Sequence, residues 1–405
     1  MDATIGNRRL MHEMNKSLIL RAIRDKGPVS RTALTEIVSL SSATVTNIVD
    51  DLLQRGFVHE AGHEESAGGR RPVLLKFAPG AGYVIGVELV SGRIRAGLVD
   101  LGAGIDRVYE EDITELSPMS AIAKIAEMIE TIRHGVAGRI RIFGIGIGIT
   151  GLVEPETGVV SEASNLGWRG IPLKSLIEER TGLRTTVEND CNANALAEMY
   201  DGAGQGAADL FCVTIGAGIG AGLILNGELH RGRDGSTGEL GHMVVDIDGP
   251  PCKCGAWGCL ETLAAGPAIV RWAGDMLKQG RVSILSQMCE GQADKLTLEM
   301  IIAALEQEDE LAAQAARRAG EYIGAGIASV INLINLERVI IAGPAADLGE
   351  PFLSSIRQTI GCRALSVPAS RVIVVPACLG REAGIIGPAT VQIREIMNSP
   401  GLCWV

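Results

Sequence analysis

The sequence predicts a small winged helix-turn-helix followed by a duplicated α/β body, and three observations carry that prediction. Residues 1–80 hold three short amphipathic segments and two β-rich stretches. A pattern of three strands followed by alternating helices and strands then occurs twice. Inside the second copy, three cysteines and a histidine fall close together. At 405 residues the chain has room for two or three domains and a sizeable core.

The segment "NKSLILRAIRDKGPVSRTALTEIVSLSSATVTNIVDDLLQRGFVHEAG" reads as three helices. Leu18, Ile19, Ala22 and Ile23 give the first an apolar face, and Gly27-Pro28 ends it. Ser30 can cap a second helix that buries Leu34, Ile37 and Val38. A third begins at about Ser41, and Val45, Ile48, Val49 and Leu52 form its i, i+3, i+4, i+7 stripe. Its other face offers Ser41, Ser42, Thr44, Thr46 and Asn47, short hydrogen-bonding side chains of the kind that meet base edges in a major groove. Such residues also cap helices, so alone they favour a small interaction module. "FVHEA" and "PVLLKF", joined by "GHEESAGGRR", add a hairpin wing. Arg70 and Arg71 at its tip suit phosphate contact or a narrow minor groove. Helices, wing and local charge together predict DNA binding.

Charge supports that placement. The net charge is −11, yet residues 1–77 carry 11 Lys+Arg against 9 Asp+Glu, leaving −13 for the remainder. An acidic body repels nucleic acid, so DNA contact belongs to the N-terminal segment. Few aromatics argue against stacked recognition of single strands. No apolar run reaches the length of a membrane span, and the N-terminal stretch lacks a signal peptide's apolar region, so the expected compartment is the cytoplasm.

From Tyr83 the pattern changes. "GYVIGVEL", "IRAGLVD" and "DRVYEED" read as strands, then a helix near 118–134, the strand "IRIFGIGIGI", a helix near 171–181, the strand "RTTVE" and a helix from Asp190. "DLFCVTIG", "AGLILNGEL", helices, "ERVIIAG", a helix, "RVIVVPA" and a last helix from about Arg381 repeat that order. The expected domains are 1–80, 81–200 and 201–405, the last helix being free to pack back on the first lobe. A duplicated α/β body of this kind places a ligand cleft between its lobes.

Within this body, Asn189 and Asp190 stand at a strand-to-helix junction, where Asp190 either caps the helix or serves as a general base. "TIGAGIGAG" is a glycine hairpin able to admit a phosphate, although tight hairpins need glycine in any case. Nine cysteines in a cytoplasmic chain are no disulfide framework. Cys191, Cys212, Cys289, Cys362, Cys378 and Cys403 are scattered and read as small buried apolar residues. His242-x9-Cys252-x-Cys254-x4-Cys259, inside a loop at 239–262, instead supplies four ligands for a structural tetrahedral zinc with no position left open.

Together these blocks resemble the ROK family of sugar kinases and sugar-responsive repressors over nearly the whole chain. The matching stretches are "GGRRP", "ENDCNANALAE", "IGAGIGAGLILNG", "GELGHMVV" and "CKCGAWGCLE". The resemblance implies an actin-like, ribonuclease H-like body of two lobes. It places Asp190 where the kinases keep the base that activates the sugar hydroxyl, with Asn189 beside it. It also assigns Asn165, Glu239, His242 and Glu261 to sugar hydroxyls, and gives His242 a second role on the zinc. The family's Asp-x-Gly-Gly-Thr phosphate turn is replaced, however. Glu88 stands for the Asp and Ser91-Gly92-Arg93 for Gly-Gly-Thr, while Pro344 and Ala345 occupy a second turn where the kinases favour glycine.

The resemblance therefore implies a sugar-responsive repressor rather than an enzyme, with sugar in the cleft changing operator affinity and Asp190 acting as a sugar ligand. A homodimer, or a dimer of dimers, would present two winged helices to a palindromic operator. The rival is a sugar kinase with a fused DNA-binding head. A third possibility is regulation by a sugar-transport protein docking on the body.

Overall fold

The computed structural model describes residues 8–63, 71–90, 92–113, 117–136, 138 and 140–398. These divide into two units: the described residues up to Asp190 with those from Gly384 onward, and Cys191–Ala383.

The first unit opens with α1 (Arg8–Lys26), β1 (Val29–Ser30), α2 (Arg31–Val38), α3 (Ser42–Gln54), β2 (Val58–His63) and β3 (Val73–Phe77). The three strands pair as β1-β3-β2, which makes the wing. Ser30 caps α2 by accepting from the Ala33 N–H, and Ser41 caps α3 by accepting from the Thr44 N–H. Val45, Ile48, Val49 and Leu52 are fully buried, as their spacing predicts. Leu18 and Ile37 are corrections, at 36% and 39% exposed. The eight-residue α2 buries only the i, i+4 pair Leu34 and Val38, and Ile37 is turned about 100° off Val38 by the helical period. Among the scattered cysteines, Cys191, Cys212 and Cys289 are buried, but Cys362 and Cys378 are exposed, one near the end of a helix and one in a bend. Cys403 lies outside the described residues.

The body of this unit runs β4 (Tyr83–Val90), β5 (Arg93–Asp100), β6 (Ile105–Asp112), α4 (Pro118–Gly135), β7 (Ile142–Ile149), β8 (Leu152–Val153), β9 (Val160–Ala163), β10 (Trp168–Ile171), α5 (Leu173–Thr181) and β11 (Thr185–Asn189). The sheet order is β11-β7-β4-β5-β6. The small β10-β9-β8 sheet is an addition to the sequence-based expectation, because strands of two to four residues show no readable alternation.

The helix α6 (Asp190–Asp201) leads into the second unit, which continues β12 (Leu210–Ile215), β13 (Ile219–Leu225), β14 (Glu228–Leu229), α7 (Leu260–Ala264), α8 (Gly266–Lys278), α9 (Leu285–Met288), α10 (Leu298–Leu305), α11 (Glu310–Ile334), β15 (Arg338–Ala342), α12 (Gly349–Arg363), α13 (Ser366–Arg371) and β16 (Ile373–Pro376). Its sheet order, β14-β13-β12-β15-β16, repeats the first: an antiparallel meander, then parallel strands reached through helices. "AGLILNGEL" is not one strand but a hairpin. Asn226 (φ 52°) and Gly227 (φ 76°) make the two-residue turn that Asn-Gly favours.

The chain then returns to the first unit as α14 (Ala383–Asn398). Glycines make its berth. Added Cβ atoms at Gly86, Gly146 and Gly148 would lie 2.1 Å from Ile385 O, 1.8 Å from Pro388 O and 2.7 Å from Pro388 Cγ. Alternate glycines on β7 therefore present bare backbone on one face, and α14 lies directly on it. The same helix packs against the winged helix. Ile385, Ala389, Ile393, Ile396 and Met397 share one core with Ile19, Ile23, Phe57 and Phe77. Arg21 Nη1 also donates to Asn398 Oδ1 at 2.7 Å. The winged head is thus built into the first unit by a common apolar core. No described helix is long and apolar enough to cross a membrane.

One buried carboxylate organises the second unit. Glu198 on α6 is fully buried; its Oε2 accepts from the Ala203 N–H (2.8 Å) and the Cys378 N–H (3.3 Å), and its Oε1 from the Leu379 N–H (3.0 Å). Glu198→Ala would orphan those donors. The expected result is a loss on the order of 3 kcal/mol, read as a lower urea midpoint. Glu198→Gln, which keeps one accepting oxygen, should lose less.

Candidate metal centre and effector site

In the second unit, His242 ends a short 3-10 turn and Cys259 caps α7. Between them the chain makes only isolated bridges, Val244 with Cys259 and Pro251 with Trp257. A backbone turn aims Cys252 and Cys254 inward, with the Gly255 N–H donating to Cys252 O at 3.0 Å and Gly255 at φ 94°. Gly258 is obligatory, since a Cβ there would meet Asp246 O at 1.5 Å. Leu240 and Leu260 anchor the loop's two ends against Gly326 of α11.

The ligand atoms of His242, Cys252, Cys254 and Cys259 all lie within 4.8 Å of one another. Cys254 Sγ is 3.7 Å from Cys259 Sγ, and Cys252 Sγ is 3.7 Å from His242 Nδ1. Ligands bonded at about 2.0–2.3 Å to a tetrahedral zinc stand roughly 3.3–3.8 Å apart. Three thiols and an imidazole are also the donors such an ion prefers, so the residue set and the two 3.7 Å spacings fit. Burial pushes the Cys252 thiol up to about 12 and raises Cys259 as well, whereas a hydrogen bond from the Ala256 backbone lowers exposed Cys254. A bound cation reverses the first two by favouring thiolate.

Acids flank the cluster. Glu261 Oε1 accepts from the Cys252 thiol at 2.9 Å and lies 3.7 Å from His242 Nδ1. Glu239 Oε2 lies 3.8 Å from His242 Nε2. The imidazole therefore turns Nδ1 to the cysteines and Nε2 to Glu239. The contact of Glu261 with a cysteine is beyond the reach of sequence spacing, which suggests only a residue beside the loop.

In the first unit, β11 delivers Asn189 and Asp190 to the start of α6. Thr150 Oγ1 donates to Asp190 Oδ2 at 2.8 Å, and Asn189 Nδ2 donates to Gly151 O at 3.0 Å. Thr150 and Gly151 follow β7, and neither stands out from sequence. The one signal for them is a polar residue at the end of the "GIGIGI" strand. Asn165 is exposed in the turn between β9 and β10. Glu88 on β4 is paired: Arg95 Nη1 donates to its Oε2 at 3.0 Å, and Arg95 is itself buried. Ser91 lies outside the described residues.

On the winged head, Ser41 and Thr44 bind each other, with their hydroxyl oxygens 2.8 Å apart. Ser42 and Asn47 are exposed and Thr46 is half-buried on α3. Asp51 joins α3 to α1 through Lys16 (2.8 Å) and also pairs with Arg55 (2.8 Å). Burial opposes the Asp51 charge, but these two cations outweigh it and hold the carboxyl below its usual range. Arg71 is exposed, and Arg70 lies outside the described residues.

A winged helix fused to two lobes of repeated ribonuclease H-like topology defines the transcription-regulator form of a sugar-kinase-like fold. The chain belongs to the ROK family, whose profile matches residues 84–395, and its head matches the MarR family over residues 13–66. It is 32% identical to the xylose repressor of Caldicellulosiruptor bescii, over 98% of this chain and 99% of that one. A crystal structure of a ROK family transcriptional regulator, a homolog of the E. coli MLC protein, superposes with a TM-score of 0.85 at 30% identity, covering 97% and 98% of the two chains. A ROK family glucokinase from Streptomyces griseus, in complex with glucose and AMPPNP, superposes at 0.68 with 33% identity, but covers only 76% of this chain against 99% of its own.

Proposed function

We propose that this protein is a sugar-responsive transcriptional repressor acting in the cytoplasm, without kinase activity. One observation carries the reading: a DNA-reading head is fused to a sugar-kinase body whose phosphate-turn carboxylate, Glu88, is consumed by an ion pair with buried Arg95. A carboxylate so paired is a poor partner for nucleotide phosphates or their metal. The similarity to a xylose repressor points the same way.

In this reading Asn165, Asn189, Asp190, Glu239, His242 and Glu261 are the sugar-binding residues, each buried hydroxyl needing polar partners. Thr150 and Gly151 fix the orientation of Asp190 and Asn189. A structural zinc held by His242, Cys252, Cys254 and Cys259 keeps the loop at 239–262 in shape and does no chemistry. Ser41, Ser42, Thr44, Thr46, Asn47, Arg70 and Arg71 form the DNA-facing set, with Ser41 and Thr44 shaping the start of α3. A homodimer, or a dimer of dimers, meets a palindromic operator through two heads. A sugar-transport protein is a further candidate partner. Because α14 packs on both the head and the body's sheet, a change in the first unit reaches α3 through packed side chains.

Operator affinity measured by fluorescence anisotropy, with and without free pentoses, hexoses and amino sugars, tests this. One sugar should change affinity by tenfold or more, on the order of 1.4 kcal/mol of coupling. An affinity indifferent to all of them defeats the reading. Sugar-dependent ATP turnover that disappears in Asp190→Asn would establish the kinase instead.

A further inference from the structure

The short helix α7 carries Glu261 between two anchors on a single face of α11. Five residues are too few to hold a helix by their own hydrogen bonds. Its N-cap is the cluster ligand Cys259, and Glu261 lies in its first turn. Leu260, fully buried, meets α11 at Gly326, where an added Cβ would stand 3.0 Å from Leu260 Cδ2. At the other end the last carbonyls lack intrahelical partners, as in any helix. Two guanidinium groups satisfy them. Arg318 Nη1 donates to Leu263 O at 3.3 Å, and Arg271 Nη2 donates to Thr262 O at 2.7 Å.

Arg318 is itself held. Its guanidinium lies 4.8 Å from the Tyr322 ring centroid and 5.7 Å from that of Trp272, and its Nη2 donates to Tyr322 Oη at 3.4 Å. Arg318, Tyr322 and Gly326 follow at i, i+4 and i+8, so they line one stripe of a 25-residue helix. Cation–π stacking and a carbonyl partner leave this side chain little freedom. The Glu261 carboxylate has correspondingly little room, with Cys252 on one oxygen and Gly218 beside the other, where an added Cβ would stand 3.3 Å from Oε2.

We propose that Arg318 is a positioning residue for the effector site, fixing Glu261 against Cys252 and His242 by pinning α7 to α11. The proposal deepens the sugar-repressor reading and rests on it for the ligand's class.

The test uses the full chain loaded with zinc. Arg318→Met keeps the apolar stem and removes the donor and the charge. It should weaken binding of the responsive sugar about tenfold and speed zinc release to a chromogenic chelator by a similar factor, as losses in a ligand's supporting shell do. Arg318→Lys, which retains a cation beside both rings, should recover most of each loss and supplies the measurement if Arg318→Met does not fold. Positioning through Glu261 also predicts non-additivity: R318M/E261Q should bind sugar no worse than E261Q alone. Additive losses, or sugar affinity and zinc release within twofold of the parent in R318M, would overturn the assignment. A parent chain that binds no sugar would defeat the functional reading, while the chelator rates would still decide the role of Arg318.

Discussion

Cys259→Ser is expected to purify without stoichiometric metal, to unfold at a lower temperature and to lose its response to sugar. The cost is large because the Cys259 thiol is fully buried within the cluster, while the Thr262 Oγ1 bond to its backbone carbonyl (2.7 Å) is one that serine keeps. A serine hydroxyl is a poor zinc ligand, and without the ion the buried Cys252 thiol reverts to the neutral form that burial favours. In isolated zinc fingers metal binding is worth about 10–16 kcal/mol and is inseparable from folding. Only part of that should appear here, since most of the second unit's core comes from α11, its sheet and its other helices, the loop adding Leu240 and Leu260. Metal analysis beside a thermal melt checks the result. A Cys259→Ser chain that kept its zinc would show that the ion sits elsewhere.

Gly146→Val should be the most damaging single change in the first unit. The residue adds two methyl groups and a Cβ where bare backbone faces α14, and that Cβ alone would lie 1.8 Å from Pro388 O. Neither backbone can yield, because β7 is paired on both sides and α14 is buried along the same face. The expected loss is on the order of 3 kcal/mol or more, at or above the upper range for overpacking. It should not stop at the body. Ile385, Ala389, Ile393, Ile396 and Met397 also complete the core of the DNA-reading head, so displacing α14 should lower operator affinity although Gly146 lies in the body and not in the head. Circular dichroism, a urea titration and operator binding on one preparation check this. Full operator affinity in a folded Gly146→Val chain would mean that the head stands without α14.

The sequence is most legible where the causes are local. Apolar stripes and serine caps place the three helices of the head, and soft ligands at tight spacing identify the cysteine cluster. The errors also have local causes. Apolar character alone groups Ile37 with Val38, although a single helical step turns it off the buried face. The Asn226-Gly227 turn carries a readable signal that a continuous apolar run obscures. No pattern supplies contacts between distant segments: Arg318 on Leu263, and α14 beneath the head. The glycine alternation on β7 hints at a close neighbour without naming it. The C-terminal helix is legible in its place along the chain, but the head's dependence on it is not.

That dependence has a consequence in time. The ribosome makes α1 near the beginning of the chain and α14 only from Ala383 onward. At about 5–20 residues per second, the two are separated by roughly twenty seconds to a minute or more. Throughout that interval the apolar side of the head that α14 will cover stays open. A nascent or prematurely terminated chain therefore carries a reader with an unfinished core, and only completed molecules should compete for operator sites.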